Sequence, residues 1–198
     1  MAIDPTADNR QTISDFINNF GGGTRQNRFK ITGNIYATTQ GGGSVPTFED
    51  RFFQVRSATV PNSTLGGIPI NYRGRTVVYP GERIYTPWQI LILDDKPDAN
   101  KGLFEAFHAW SNAINNHVDN TTTATGLANQ KNHFANNTWT VYQLDVNGDK
   151  PVKKFNLYNC WPQAVGDIAL DMSADNTLSS FAVTIYYSHY SIEPNTTT

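Results

Sequence analysis

Between Phe181 and Ser188 the chain alternates strictly: Phe181, Val183, Ile185 and Tyr187 fall on one side, Ala182, Thr184, Tyr186 and Ser188 on the other. β-Branched and aromatic residues at this spacing suit a half-buried strand, and such a strand needs neighbours to pair with. Upstream, Ile168, Leu170 and Met172 alternate with Ala169 and Asp171. The two runs predict an antiparallel hairpin through Ser173-Ala174-Asp175-Asn176, whose side chains hydrogen-bond their own backbone in tight turns. Before it, Trp161-Pro162-Gln163-Ala164-Val165-Gly166-Asp167 predicts a turn anchored by Trp161, because Pro162 has no N–H for a ladder and Gly166 permits positive φ. Residues Phe155 to Tyr190 thus predict three strands, and the remaining chain adds to that sheet.

Elsewhere the pattern changes period. Trp88, Ile90 and Ile92 lie opposite Leu91 and Leu93, which predicts a central strand covered on both faces. Leu103, Phe107, Trp110 and Ile114 recur at helical spacing, with Phe104 and Ala106 beside them, and predict a helix over about 98–118 that buries this stripe. Asp94, Asp95 and Asp98 precede it, where acidic groups favour the positive end of the helix dipole. Trp139–Leu144 and Val152–Leu157 flank Asn147-Gly148-Asp149, the hairpin signal of an Asn-Gly turn. Arg28–Tyr36 and Arg51–Val60 predict a further hairpin, joined by a loop through Gly41, Gly42, Gly43, Ser44, Val45 and Pro46 that is too long for a tight turn. Ile68, Ile70 and Tyr72, then Val77 to Tyr79, predict short extended segments ending at a Pro80-Gly81 turn. Near the start, Ile13, Phe16, Ile17 and Phe20 form one apolar helix face before Gly21-Gly22-Gly23. That face suits packing on its own domain or on a neighbour. Residues 119–137, rich in Asn and Thr, predict an exposed loop.

Charge and composition exclude several classes. A formal net charge of −2, with 16% charged residues, leaves no basic footprint for tight nucleic-acid binding. The single cysteine, Cys160, rules out an intrachain disulfide scaffold. No apolar run approaches the roughly 18 residues of a membrane-spanning helix, and the N-terminus lacks the basic and apolar regions of a signal peptide. His108 and His117 lie off any shared metal-binding spacing, no Gly-rich phosphate loop follows a strand, and no nucleophile–base pair is legible. No catalytic, metal or cofactor-binding residue is assigned, and none of these cofactors is expected.

Two blocks carry a resemblance. WPQAVGDIALDMSADNTLSSFAVTIYYSHY and FFQVRSATVPNSTLGGIPINYRGRTVVYPGERIYTPWQILILDD resemble, in order and spacing, the C-terminal and central regions of the tail tube proteins of contractile-tailed bacteriophages. The resemblance rests on Trp88, Trp161, Pro162, Gly166 and Asp171, which it implies are structural and assembly positions. It implies a mainly β subunit, an antiparallel sandwich or barrel-like fold with one flanking helix and a short N-terminal helix, assembling as homo-hexameric rings whose sheets join into one continuous β-barrel. Rings would stack into a tube through the loop at Gly41–Pro46, inside a sheath protein, with baseplate and tail terminator proteins at its ends. DNA would pass transiently through the lumen, for which Gln54, Arg56 and Gln89 are the channel-facing candidates. The implied setting is a virion tail assembled in the cytoplasm of a bacterial host, without a membrane; phage-derived injection machines share the fold. An arm at 1–23, one β domain at 24–192 and a frayed tail at 193–198 are the expected divisions. The alternative is a carbohydrate- or protein-binding β-sandwich module, with Tyr186 and Tyr190 to stack on sugars.

Overall fold

The computed structural model describes residues 13–20, 23–35, 54–94, 102–121, 137–145 and 150–194. In chain order these form α1 (Ile13–Phe20), β1 (Phe29–Thr32), β2 (Val55–Ala58), β3 (Ser63–Tyr72), β4 (Arg75–Tyr85) and β5 (Trp88–Leu93). There follow α2 (Leu103–Ile114), β6 (Thr138–Leu144), β7 (Pro151–Tyr158), β8 (Trp161–Val165), β9 (Ser180–Tyr186) and β10 (His189–Pro194). One four-stranded sheet has the order β1-β6-β7-β10, a second has β2-β5-β9-β8, and β3-β4 stand apart as a two-stranded ribbon. Every pairing is antiparallel.

The two sheets enclose one core, and α2 completes it. Ile31, Val141, Phe155 and Leu157 face inward from the first sheet; Trp88, Ile90, Phe181 and Val183 face them from the second. Trp139 is the centre: its ring lies edge-on to Trp88 at 6.2 Å and parallel to Trp110 of α2 at 6.4 Å. The helical spacing of Leu103, Phe107 and Trp110 therefore buries its stripe as expected, over a helix shorter than the 98–118 span. Residues 95–101 lie outside the described residues, as do Gly41–Pro46, the 122–136 part of the polar loop and the Asn147-Gly148-Asp149 turn. Among the expected elements, the central strand β5, the alternation of β9 and the β6–β7 hairpin are present, but β5 is covered on one face only, with Gln89 exposed and Leu91 and Leu93 half-buried on the other.

Several expectations are corrected. The partner of β9 is β8, Trp161–Val165, and not Ile168–Met172. Pro162 is tolerated because β8 is an edge strand, with a register shift between Pro162 and Ala164. Only Ile168 of the upstream alternation packs on the core, while Leu170 and Met172 are exposed. Gly166 has no positive φ. It is needed for proximity: its N–H donates to the Ala182 carbonyl at 2.7 Å, and a Cβ there would meet that oxygen at 2.9 Å. The 28–36 and 51–60 segments do not pair with each other among the described residues, since β1 joins β6 and β2 joins β5. After Tyr187 the chain crosses to the other sheet as β10, so Glu193 is not frayed: it accepts from Lys154 at 2.9 Å and from Asn156 at 2.6 Å. Asp94 follows the end of β5 as expected and accepts from Ser179 Oγ at 3.2 Å, while the N-cap of α2 is Gly102 and Asp95 and Asp98 lie outside the described residues.

Candidate assembly surface

The segment expected as short strands is one long hairpin. Its turn is Arg73-Gly74, with φ of 47° and 80°, the left-handed values of tight hairpin turns. Pro80-Gly81 is no turn: it lies within β4, opposite the register shift between Leu65 and Gly67. Cross-strand pairing puts Ile68 beside Tyr79, Ile70 beside Val77 and Tyr72 beside Arg75 on one face, with Pro69–Val78 and Asn71–Thr76 on the other. The first face is an apolar stripe with a basic end. Its five apolar residues are 49–64% exposed, so the ribbon buries little of it within the subunit. A two-stranded ribbon without a covered face is marginal in water, and this one depends on what holds its root.

The root is held firmly. The Tyr187 hydroxyl donates to the Asn62 carbonyl at 3.0 Å, Arg83 donates to Ser63 Oγ at 2.6 Å, and that oxygen lies 3.4 Å from the Tyr190 hydroxyl. Tyr85, Tyr187 and Tyr190 meet edge-to-face, with ring centroids 5.9–6.2 Å apart, tying the end of β4 to the β9–β10 crossover. Burial first, then the neighbouring Tyr190, pushes the Tyr187 phenol up to about 12, so it stays a neutral donor. Trp88 adds a donation from Nε1 to the Thr59 carbonyl at 2.6 Å.

The outer faces of the two sheets differ in charge. On β2-β5-β9-β8, register aligns Ser57, Leu91 and Ala182 in one row and Gln89, Thr184 and Ala164 in the next. None of these six is charged; Arg56 is exposed nearby. On β1-β6-β7-β10 the corresponding row is Lys30, Tyr142, Lys154 and Glu193. The hydrogen bond from Lys154 holds the Glu193 carboxyl below its ordinary range and raises the lysine.

The residues singled out in the sequence are therefore dispersed. Trp88 is a core residue, Trp161 is half-buried beside Tyr186 at 5.5 Å, Pro162 and Gly166 shape the β8 edge, and Asp171 accepts from Ser173 N–H and Oγ at 2.9 and 2.7 Å. Arg56 and Gln89 are exposed, but Gln54, just before β2 and outside the strand, is buried at 8% exposure and does not face a channel. Tyr190 is half-buried and meets Tyr85 and Tyr187 edge-to-face, while Tyr186 is 40% exposed. The hairpin was the missed feature: its alternation was legible, whereas the bareness of its apolar face was not. Among the described residues no three His, Cys, Asp or Glu side chains gather as a metal site, and no helix is long and apolar enough to cross a membrane.

The described residues form a two-sheet antiparallel sandwich with open strand edges and an exposed apolar ribbon. A model of the family described as phage tail tube protein matches residues 25–193, and the chain belongs to that family. It is similar to the tail tube protein of Serratia phage KSP90, 26% identical over 186 residues that cover 89% of this chain and 94% of that protein. With tail tube protein gp19 of Enterobacteria phage T4 it shares 21% identity over 133 residues, 67% of this chain and 76% of that one. Two solved structures share the fold: the PVC extracellular contractile injection system sheath–tube complex in the extended state (TM-score 0.55, 12% identity, 93% of this chain and 99% of that chain) and the anti-feeding prophage baseplate (TM-score 0.58, 7% identity, 88% and 97%). The role of the chain is that of a structural tail tube protein.

Proposed function

We infer that this chain builds the inner tube of a contractile phage tail from hexameric rings, assembled in the host cytoplasm and later serving as the conduit for DNA. The observation that supports the reading is the β3–β4 hairpin, an apolar ribbon tied down at its root whose stripe stays exposed in the single subunit and suits contact with another copy. The strand count supports an antiparallel lateral contact. A sheet of four antiparallel strands has edges running in opposite directions, so β8 of one copy meets β2 of the next antiparallel, and a closed ring leaves no edge in that sheet. The outer face of β2-β5-β9-β8, with two uncharged rows and Arg56 beside them, suits a lumen that must release DNA, because clustered cations would hold phosphate. Arg56 and Gln89 then face the channel. The charged face of β1-β6-β7-β10 turns outward to the sheath protein, and the terminal rings meet baseplate and tail terminator proteins. Trp161, Pro162 and Gly166 act by shaping the β8 edge for this pairing, and the loop at Gly41–Pro46 remains a proposed second stacking contact.

Negative-stain electron microscopy across a concentration series tests the reading. Hollow rings or tubes above a threshold concentration are expected; dispersed monomers at every concentration, with an initiating complex added, would overturn it.

A further inference from the structure

The hairpin and one other exposed segment lie at opposite ends of the same sheet. β4 ends at Tyr85 and leads through Thr86-Pro87 into Trp88, so the hairpin leaves the domain where Trp88 pairs with Ile185. At the far end of β5, Leu93 pairs with Ser180 and the Asp94 N–H donates to the Ser179 carbonyl at 3.0 Å. There the chain between β8 and β9 passes over the end of the sandwich. At about 3.3 Å per residue, the six-residue β5 separates the two places by roughly 20 Å.

That far segment, residues 166–178, exposes Leu170 at 89%, Met172 at 104% and Leu178 at 69%. Asp167, Asp171 and Asp175 are exposed among them, with no lysine or arginine in the segment. It is the chemical complement of the hairpin tip, where Ile70, Val77 and Tyr72 lead to Arg73 and Arg75, with the Arg73 guanidinium 5.3 Å from the Tyr72 ring centre. Within one subunit the two stay exposed, rooted at opposite ends of β5. A second copy stacked head to tail can, and such a heterologous contact repeats without limit along an axis.

We propose that residues 166–178 are the receptor for the hairpin tip of a second copy, with Arg73 and Arg75 against Asp171 and Asp175 and the apolar end of the stripe against Leu170 and Met172. The pairing rests on the tube reading and gives it a direction: every subunit offers its hairpin at one end and its receptor at the other. Opposite charge at the rim selects the partner and sets its register, while the apolar contact holds it.

The test is a charge exchange in the full-length chain. R73E/R75E and D171K/D175K should each raise the threshold concentration for polymerisation by at least about tenfold, and the chain carrying all four changes should return to within about threefold of wild type, the non-additivity expected of contacting pairs. Both segments are exposed, so each variant should melt close to wild type, with D171K losing only the surface bonds from Ser173. A second measurement uses Y72C/M172C: oxidation should give covalent ladders from assembled tubes and none from dilute monomer. Wild-type tubes with unaffected D171K/D175K tubes, with no recovery in the fourfold variant, or with no ladder would overturn this pairing alone. Wild type that never polymerises would overturn the tube reading with it.

Discussion

Replacing the apolar stripe should separate assembly from folding. In the free subunit Ile68, Ile70 and Val77 are 54%, 50% and 49% exposed, so each still has about half its side chain to bury. Full burial of such a side chain contributes roughly 1.5–3 kcal/mol. Covering the exposed half of all three therefore contributes roughly 2–4.5 kcal/mol per subunit, and at about 1.4 kcal/mol per factor of ten this is roughly 40- to 1,600-fold in threshold concentration. The variant I68T/I70T/V77T removes most of that term while keeping β-branched residues that favour the strand. Sedimentation of a dilution series reads the threshold; far-UV circular dichroism and thermal melting read the fold, which should change by less than about 0.5 kcal/mol per site. A variant that melts normally and polymerises within about threefold of wild type would refute the reasoning, because the stripe would then have no partner.

Three further outcomes probe the core that holds the hairpin in place. A Cβ at Gly33 would lie inside the indole of Trp139, which is fully buried between Trp88 and Trp110 and has nowhere to move, so G33A should cost about 3 kcal/mol and lower the melting temperature by about 6–12 °C. Asn137 is fully buried and its Nδ2 donates to the Asn34 and Cys160 carbonyls, each at 3.2 Å; N137A leaves both without that donor and should destabilise by roughly 2–4 kcal/mol in urea unfolding, with loss of the unpaired Oδ1 offsetting part of the cost. Burial pushes the Cys160 thiol up to about 12, so a thiol reagent at pH 8 should label it only when the domain opens, and prompt labelling of native protein would contradict the buried assignment.

What could be read from the sequence was periodicity where one element buries one face. Trp88–Leu93, Phe181–Tyr187 and the helix stripe through Phe107 and Trp110 announce their buried sides because the core they face is local to the domain. Alternation fails where the alternating residues never meet the core, as in Leu170 and Met172, and where it cannot say which partner a strand takes, as in Arg28–Tyr36 and Arg51–Val60. Pro162 hid an edge strand behind a residue that elsewhere ends strands. Arg73 hid a tight hairpin turn, because positive φ is expected of Gly or Asn and not of arginine. The hairpin's role was obscured for a further reason: in a protein that polymerises, an apolar face can be paired by another copy, so its pattern in the sequence is the same as that of a core strand.

The most direct measurement is a helical reconstruction of the assembled tube by cryo-electron microscopy at a resolution that traces strands. The account predicts β2 of one subunit beside β8 of its ring neighbour, the Gln89–Thr184 face on the lumen, and each hairpin seated on residues 166–178 of the adjoining ring. A lumen lined by the Lys30–Lys154 face, or hairpins kept within their own ring, would contradict it.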